Sequence, residues 1–116
     1  MMKNQTLKDT IKSLENASKS SGKAMWKALA KELDKPKRRR VVVNLSRLDR
    51  HTVEGDVVAV PGKVLAAGNL SKPIKIAAFT FSDGAIEKIK TAKGDYMTLE
   101  ELIKSGIEPN QIRIMK

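Results

Sequence analysis

A run of cations, Lys35-Pro36-Lys37-Arg38-Arg39-Arg40, leads directly into Val41-Val42-Val43, and no other feature restricts the possible folds as much. Pro36 disfavours helix in the residue before it, so a preceding helix ends there. The three valines are apolar and β-branched and read as a short buried strand. The chain must therefore pass from helix to strand through a strongly charged turn. A basic tail left in solvent normally continues into more low-complexity sequence, whereas these cations are joined to residues that are to be buried. Their charge should sit at a defined place on the folded surface, and fixed cations point to a fixed polyanion.

Before this turn, Leu7, Ile11 and Leu14 recur at helical spacing. Asn4 or Thr6 offers a cap and Ser20-Ser21-Gly22 a break. A second helix is expected from about Gly22, with Met25, Trp26, Leu29, Ala30 and Leu33 on one stripe. Lys23, Lys27, Lys31 and Lys35 recur every four residues opposite that stripe. Like charges at this spacing cost an isolated helix about 0.2–0.5 kcal/mol per pair, so helix stability does not account for them. A phosphate-facing ridge does, and an ordinary solvated lysine face is the competing reading.

After the valines, Asn44 is placed to cap a helix of one or two turns with Leu45 and Leu48 inward, which makes Arg47 and Arg50 project together. Residues 56–60 read as a strand stopped by Pro61-Gly62, and residues 63–69 as an irregular extended segment or turn. Residues 74–81 carry the strongest strand pattern, followed by a polar cap at Ser82-Asp83-Gly84 and a helix to about Lys93 with Ala85, Ile86 and Ile89 inward. Lys93-Gly94-Asp95 is a turn. Thr98-Leu99-Glu100-Glu101 matches a capping box for a short helix ending at Ser105-Gly106, and Ile112 and Ile114 form a last strand. The expected class is α/β, with α+β as the alternative: two N-terminal helices, then a core of short strands interleaved with short helices. The 116 residues suit one domain, helical over residues 1–36 and strand/helix over residues 37–116.

Charge narrows the function. The net charge is +10. Residues 1–50 hold 14 Lys and Arg against 5 Asp and Glu, a balance of +9, while residues 51–116 hold 9 against 8. The first half is the expected contact surface and the second the scaffold, with nucleic acid as the favoured partner. No apolar stretch approaches the roughly 20 residues that span a bilayer, and residues 1–10 are too polar for a signal peptide, so no membrane partner and an intracellular location are expected. The chain has no cysteine, which removes disulfides and thiolate chemistry and leaves stability to packing. The sequons at Asn4, Asn16, Asn44 and Asn69 then carry no meaning, because glycosylation needs a secretory route.

Catalysis finds no support. His51 is the only histidine, so it cannot build a zinc site, and any catalytic triad would rest on this one imidazole beside Arg50 and near Glu54; a solvent-exposed or structural role accounts for it better. Glu100 and Glu101 fit the macrodipole of a helix first turn better than an acid–base pair. The Pro61-Gly62-Lys63-Val64 segment is not a Walker motif: Gly55 is too distant and Val64 stands where Ser or Thr is needed. Lys63 beside a glycine can still meet a phosphate oxygen, and a plain turn is the alternative. No catalytic residue, metal site, cofactor or small-molecule substrate is expected.

Aromatic residues make up 3% of the chain. Trp26, Phe79 and Phe81 fall on expected apolar faces and only Tyr96 is left for stacking, so binding should read backbone and shape. Arg and Lys would meet phosphates, with Asn44 and Ser46 on sugar hydroxyls. Structured RNA fits better than sequence-specific DNA, since no zinc finger, basic zipper or helix-turn-helix is visible. The basic run also has a reading as a nuclear-import signal, though such signals usually sit in flexible tails.

At Lys35-Pro36-Lys37-Arg38-Arg39-Arg40-Val41-Val42-Val43-Asn44-Leu45-Ser46-Arg47-Leu48, with Val58-Ala59-Val60-Pro61-Gly62-Lys63-Val64-Leu65 and Ala77-Ala78-Phe79-Thr80-Phe81-Ser82, the chain resembles large-subunit ribosomal protein eighteen of the archaeal and eukaryotic type, related to bacterial large-subunit protein fifteen. The resemblance covers almost the whole chain, and the compact ends match an archaeal form. It implies a non-catalytic, cytoplasmic component of the large ribosomal subunit that binds ribosomal RNA beside neighbouring ribosomal proteins. By matching position, Arg38, Arg39, Arg40, Asn44, Ser46, Arg47 and Lys63 inherit the RNA-contact expectation. Lys23, Lys27 and Lys31 rest on helical spacing alone, Lys35 and Lys37 on their place in the basic run, and Arg50 on projecting beside Arg47. Two rivals are a non-ribosomal architectural protein on DNA or another RNA, and a helical protein-interaction module built on the Met25-to-Leu33 stripe.

Overall fold

Strands buried on both faces need continuous apolar sequence, and two strands here have it. A computed structural model describes residues 3–116, without the side chains of residues 3–6 and Lys37. The elements are α1 (Lys3–Ser21), α2 (Ala24–Leu33), a 3-10 turn (Lys37–Arg39), β1 (Val41–Asn44), α3 (Leu45–Arg50), β2 (Val57–Leu65), β3 (Lys75–Phe81), α4 (Asp83–Thr91), β4 (Asp95–Thr98), α5 (Leu99–Lys104), a second 3-10 turn (Pro109–Gln111) and β5 (Ile112–Ile114). All four strand pairings are parallel, in the order β1-β2-β3-β4 with β5 also on β2. The α/β expectation holds.

Alternation along the central strands divides the core into two layers. Val58 and Val60 of β2 and Ile76 and Ala78 of β3 face a cluster with Leu45, Leu48, Ala85 and Ile89 from α3 and α4. Their neighbours Ala59 and Ala77 face Leu7, Leu14, Trp26, Leu29, Leu33, Leu99 and Leu102 from α1, α2 and α5. Helices on both faces are the usual cover of a parallel sheet. The small side chains on the second face let α2 approach closely.

Several sequence expectations are corrected. Helix α1 already includes Lys3, so Asn4 and Thr6 lie inside it; Gly22, at φ +72, ends it as expected, its N–H donating to the Ser18 carbonyl. Of the three valines only Val43 is buried, because β1 is an edge strand, and Val42 is 56% exposed. Pro61 and Gly62 do not stop β2, which continues to Leu65. The register with β3 shifts between Val60 and Lys63. On the other edge, β5 pairs with Val57 to Ala59 and β1 with Gly62 to Leu65. Pro61 falls in the gap between these two partners, where its missing N–H costs no ladder bond. Strand β4 escaped the sequence reading, because Asp95, Tyr96 and Thr98 are exposed and leave no apolar alternation.

The connection from β2 to β3 contains no helix and is held by side chains instead. Lys88 Nζ donates to the carbonyls of Ala66 at 2.8 Å and Gly68 at 2.6 Å. Lys72 Nζ donates to those of Asp49 at 2.6 Å and Thr52 at 2.9 Å, and Asp49 accepts from the N–H and hydroxyl of Ser71. The Ser71 bonds, followed by Lys72, hold the Asp49 carboxyl below its usual pKa. Ser82 accepts from the Ala85 N–H, and the Thr98–Glu101 capping box is complete.

Candidate nucleic-acid interface

Helix α2 buries Trp26, Leu29, Ala30 and Leu33. A stripe at these positions turns the other side of the helix to solvent, and Lys23, Lys27 and Lys31 are all exposed there. Lys19 of α1 joins Lys27 and Lys31 around a groove of about 350 Å³ between the two helices, which Glu15 and Asp34 also line. The sequence reading missed Lys19, although it follows Lys12 by seven residues and Lys8 by eleven on one face of α1 and precedes Lys23 by four.

Beyond α2 the cations divide into two groups. Arg40 Nε donates to the Lys35 carbonyl at 3.1 Å, and the Arg39 N–H donates to the Pro36 carbonyl at 2.8 Å, so the basic turn is closed by its own hydrogen bonds. Lys35 Nζ lies 2.9 Å from Glu32 Oε1, and Lys116 Nζ lies 2.8 Å from Glu32 Oε2. Arg47 Nη2 donates to the Lys116 carbonyl at 3.2 Å. Lys35 therefore ties the turn to Glu32 near the end of α2, Arg40 closes it on Lys35, and Arg47 of α3 meets Lys116, which shares Glu32, beyond the last strand. Arg38, Arg39, Arg50, Lys23, Lys27, Lys31 and Lys63 are exposed and have no ion pair among the described residues. The expectation for the Lys37 side chain lies outside the described residues.

The turn is a 3-10 helix rather than part of a strand, so its side chains fan out around an axis instead of alternating between two faces. Asn44 takes the N-cap position of α3 with extended geometry, yet its side chain makes no capping hydrogen bond. Ser46 is half-buried, its N–H donating to the Ala67 carbonyl at 3.1 Å. Gly68 packs against it at φ +84, where a Cβ would stand 2.3 Å from the Ser46 Cβ. Lys63 stands in β2 between Val42 of β1 and Thr80 of β3. Neither neighbour was singled out from sequence, since register alone brings them beside it.

Aromatic rings offer little to a base. Trp26 is 4% exposed, and Phe79 and Phe81 are half-buried. Tyr96 is 41% exposed, but Phe81 meets it edge-on at 5.6 Å between centroids and Lys90 Nζ sits 5.9 Å from its ring centre. No helix among the described residues is long and apolar enough to cross a membrane.

Glu32 joins the two lysines. Hydrogen bonds first from Lys116 and then from Lys35 hold its carboxyl below the usual value. A carboxyl with a lowered folded pKa stabilises the fold fully above its unfolded value of about 4.3 and loses that contribution as pH falls through the folded value. Glu32→Gln should therefore be less stable than the native chain at about pH 6, and the gap should shrink as pH falls below about 4.3. Urea midpoints of both chains across that range check this, and a gap that stays constant would contradict it.

The family described as ribosomal proteins 50S-L15 and 50S-L18e, together with their 60S counterpart, matches residues 22–97, which include α2, the basic turn and the sheet as far as β4. A protein named large ribosomal subunit protein eL18 from Methanoregula boonei is 38% identical over 113 residues, covering 97% of this chain and 93% of that protein. Its namesake from Methanococcus maripaludis is 39% identical over 115 residues, covering 99% and 96%. A third, from Pyrobaculum aerophilum, is 38% identical over 112 residues, covering 97% and 92%. With a matched family model over most of its length and relatives alike from end to end, the chain belongs to the ribosomal protein family of 50S-L15 and 50S-L18e.

Proposed function

We propose that this protein, acting as a single domain, is a structural constituent of the large ribosomal subunit and binds ribosomal RNA through phosphate and shape contacts. The observation that carries the reading is end-to-end similarity to proteins named large ribosomal subunit protein eL18. As a ribosomal protein it is a structural component rather than an enzyme. Its place is then the cytoplasmic ribosome, beside neighbouring ribosomal proteins. The closed basic turn and the lysine face of α2 support the RNA contact, because both present cations from backbone that is already ordered. Ordering long side chains and loops on binding costs affinity, and a fixed turn lowers that cost.

Arg38 and Arg39 are the leading phosphate ligands, followed by Lys23, Lys27, Lys31, Lys63 and Arg50. Arg40, Arg47 and Lys35 act mainly by positioning, while Lys37, Asn44 and Ser46 complete the proposed contact surface. The Arg38→Ala, Arg39→Ala double variant should keep the native unfolding midpoint, since neither side chain has a protein partner among the described residues, and should lose co-sedimentation with large subunits. Undiminished co-sedimentation of that variant at physiological salt would reject the basic turn as the contact.

A further inference from the structure

One end of the sheet is bare on the face that α1, α2 and α5 otherwise cover. Val41 and Val43 of β1, Val64 of β2 and Phe81 of β3 pack toward the first core layer. Alternation then turns Val42 and Lys63 to the opposite face. Strand β3 changes phase after Phe79, since Phe79 packs on the second layer and Phe81 on the first, so Thr80, paired with Lys63, shares the face of Lys63. The register sets these three side by side, Val42 against Lys63 and Lys63 against Thr80, one on each of three adjacent strands. All three are exposed, Val42 to 56%. The helices on this side bury Ala59 and Ala77 instead, nearer the starts of the strands.

The strip joins an aliphatic surface, a cation and a hydroxyl in one flat row. It holds no acidic residue, and Arg38 and Arg39 lie in the turn that leads into β1. This charge suits a polyanion and not a basic protein partner. The row also has no aromatic residue, which removes base stacking as the binding mode. The wide, shallow minor groove of A-form RNA presents riboses, 2′-hydroxyls and flanking phosphates to such a surface.

We propose that the Val42–Lys63–Thr80 strip seats the minor groove of a ribosomal RNA helix, with Lys63 on a phosphate, Val42 against a ribose and the Thr80 hydroxyl on a 2′-hydroxyl. This rests on the RNA-binding reading above and assigns to that interface two residues that carry no charge. The test is filter binding of the full chain to archaeal large-subunit ribosomal RNA transcribed in vitro, across a salt series, with thermal melting of each variant. Val42→Ala and Thr80→Val should each weaken binding about 2- to 10-fold without changing the salt slope, and Thr80→Ser should restore native affinity. Lys63→Ala should reduce the salt slope by about 1.

Native affinity in Val42→Ala and Thr80→Val, with the Arg38→Ala, Arg39→Ala pair still weakened, would overturn the strip and leave the RNA reading intact. If the native chain showed no salt-dependent binding to this RNA, both would fall. Strip variants that bind RNA normally but enter large subunits poorly would identify the strip as a protein contact and overturn the proposal.

Discussion

Replacing Gly62 with alanine should destabilise the fold by about 3 kcal/mol and loosen RNA binding, although residue 62 has no side chain to offer the RNA. A Cβ at this position would lie 1.9 Å from the Val41 carbonyl oxygen and 2.8 Å from its carbon. Both are backbone atoms, so no rotamer change relieves the overlap. Overpacking of this kind typically costs about 1–3 kcal/mol, and a backbone clash belongs at the upper end. Relief requires β1 to move away from β2. Strand β1 follows directly on the basic turn, and Val41 pairs with Gly62 itself. Two measurements check the effect: a lower urea midpoint, and a loss of RNA affinity at temperatures where the variant remains folded. Native stability in Gly62→Ala would show that β1 and β2 do not approach this closely.

Salt should act more strongly on binding than any single substitution. If about 6 to 10 cations meet phosphates, raising salt from about 50 to about 200 mM should lower affinity by about 10³- to 10⁵-fold. The exposed group of Arg38, Arg39, Lys23, Lys27, Lys31, Lys63 and Arg50, with no ion pair among the described residues, supplies the right order of contacts. Removing any one phosphate ligand should lower the slope of log affinity against log salt by about 1. Arg40→Ala should behave differently, because Arg40 Nε closes the turn on the Lys35 carbonyl. Its loss should slow ordered docking and weaken binding with little change in slope. A flat salt response of the native chain would defeat the electrostatic reading altogether.

The helices were largely legible because their signals are local. The Trp26, Leu29, Ala30 and Leu33 stripe lies on one side of α2, and the Thr98–Glu101 capping box forms from residues three apart. The scaffold role expected for residues 51–116 also has a visible basis, since Lys72, Lys88, Arg113 and Lys116 donate to carbonyls or carboxylates elsewhere in the fold. Strand β4 was not legible, because a strand on the rim of the sheet needs little apolar patterning. Nor was the continuation of β2 through Pro61 and Gly62: turn residues usually end a strand, and only the handover from β5 to β1 makes them tolerable inside one.

Sequence alone determined where the excess charge lies, which helical faces are apolar, and that a basic turn leads into a strand, since composition and short-range periodicity carry these facts. Tertiary structure decided which of the cations remain available. Glu32 holds Lys35 three residues away and Lys116 across 84 residues of chain, and Arg47 reaches the Lys116 carbonyl across 69. Register likewise set Val42 and Thr80 beside Lys63. Such pairings depend on how distant segments come to lie beside one another, and spacing along the chain contains no record of that.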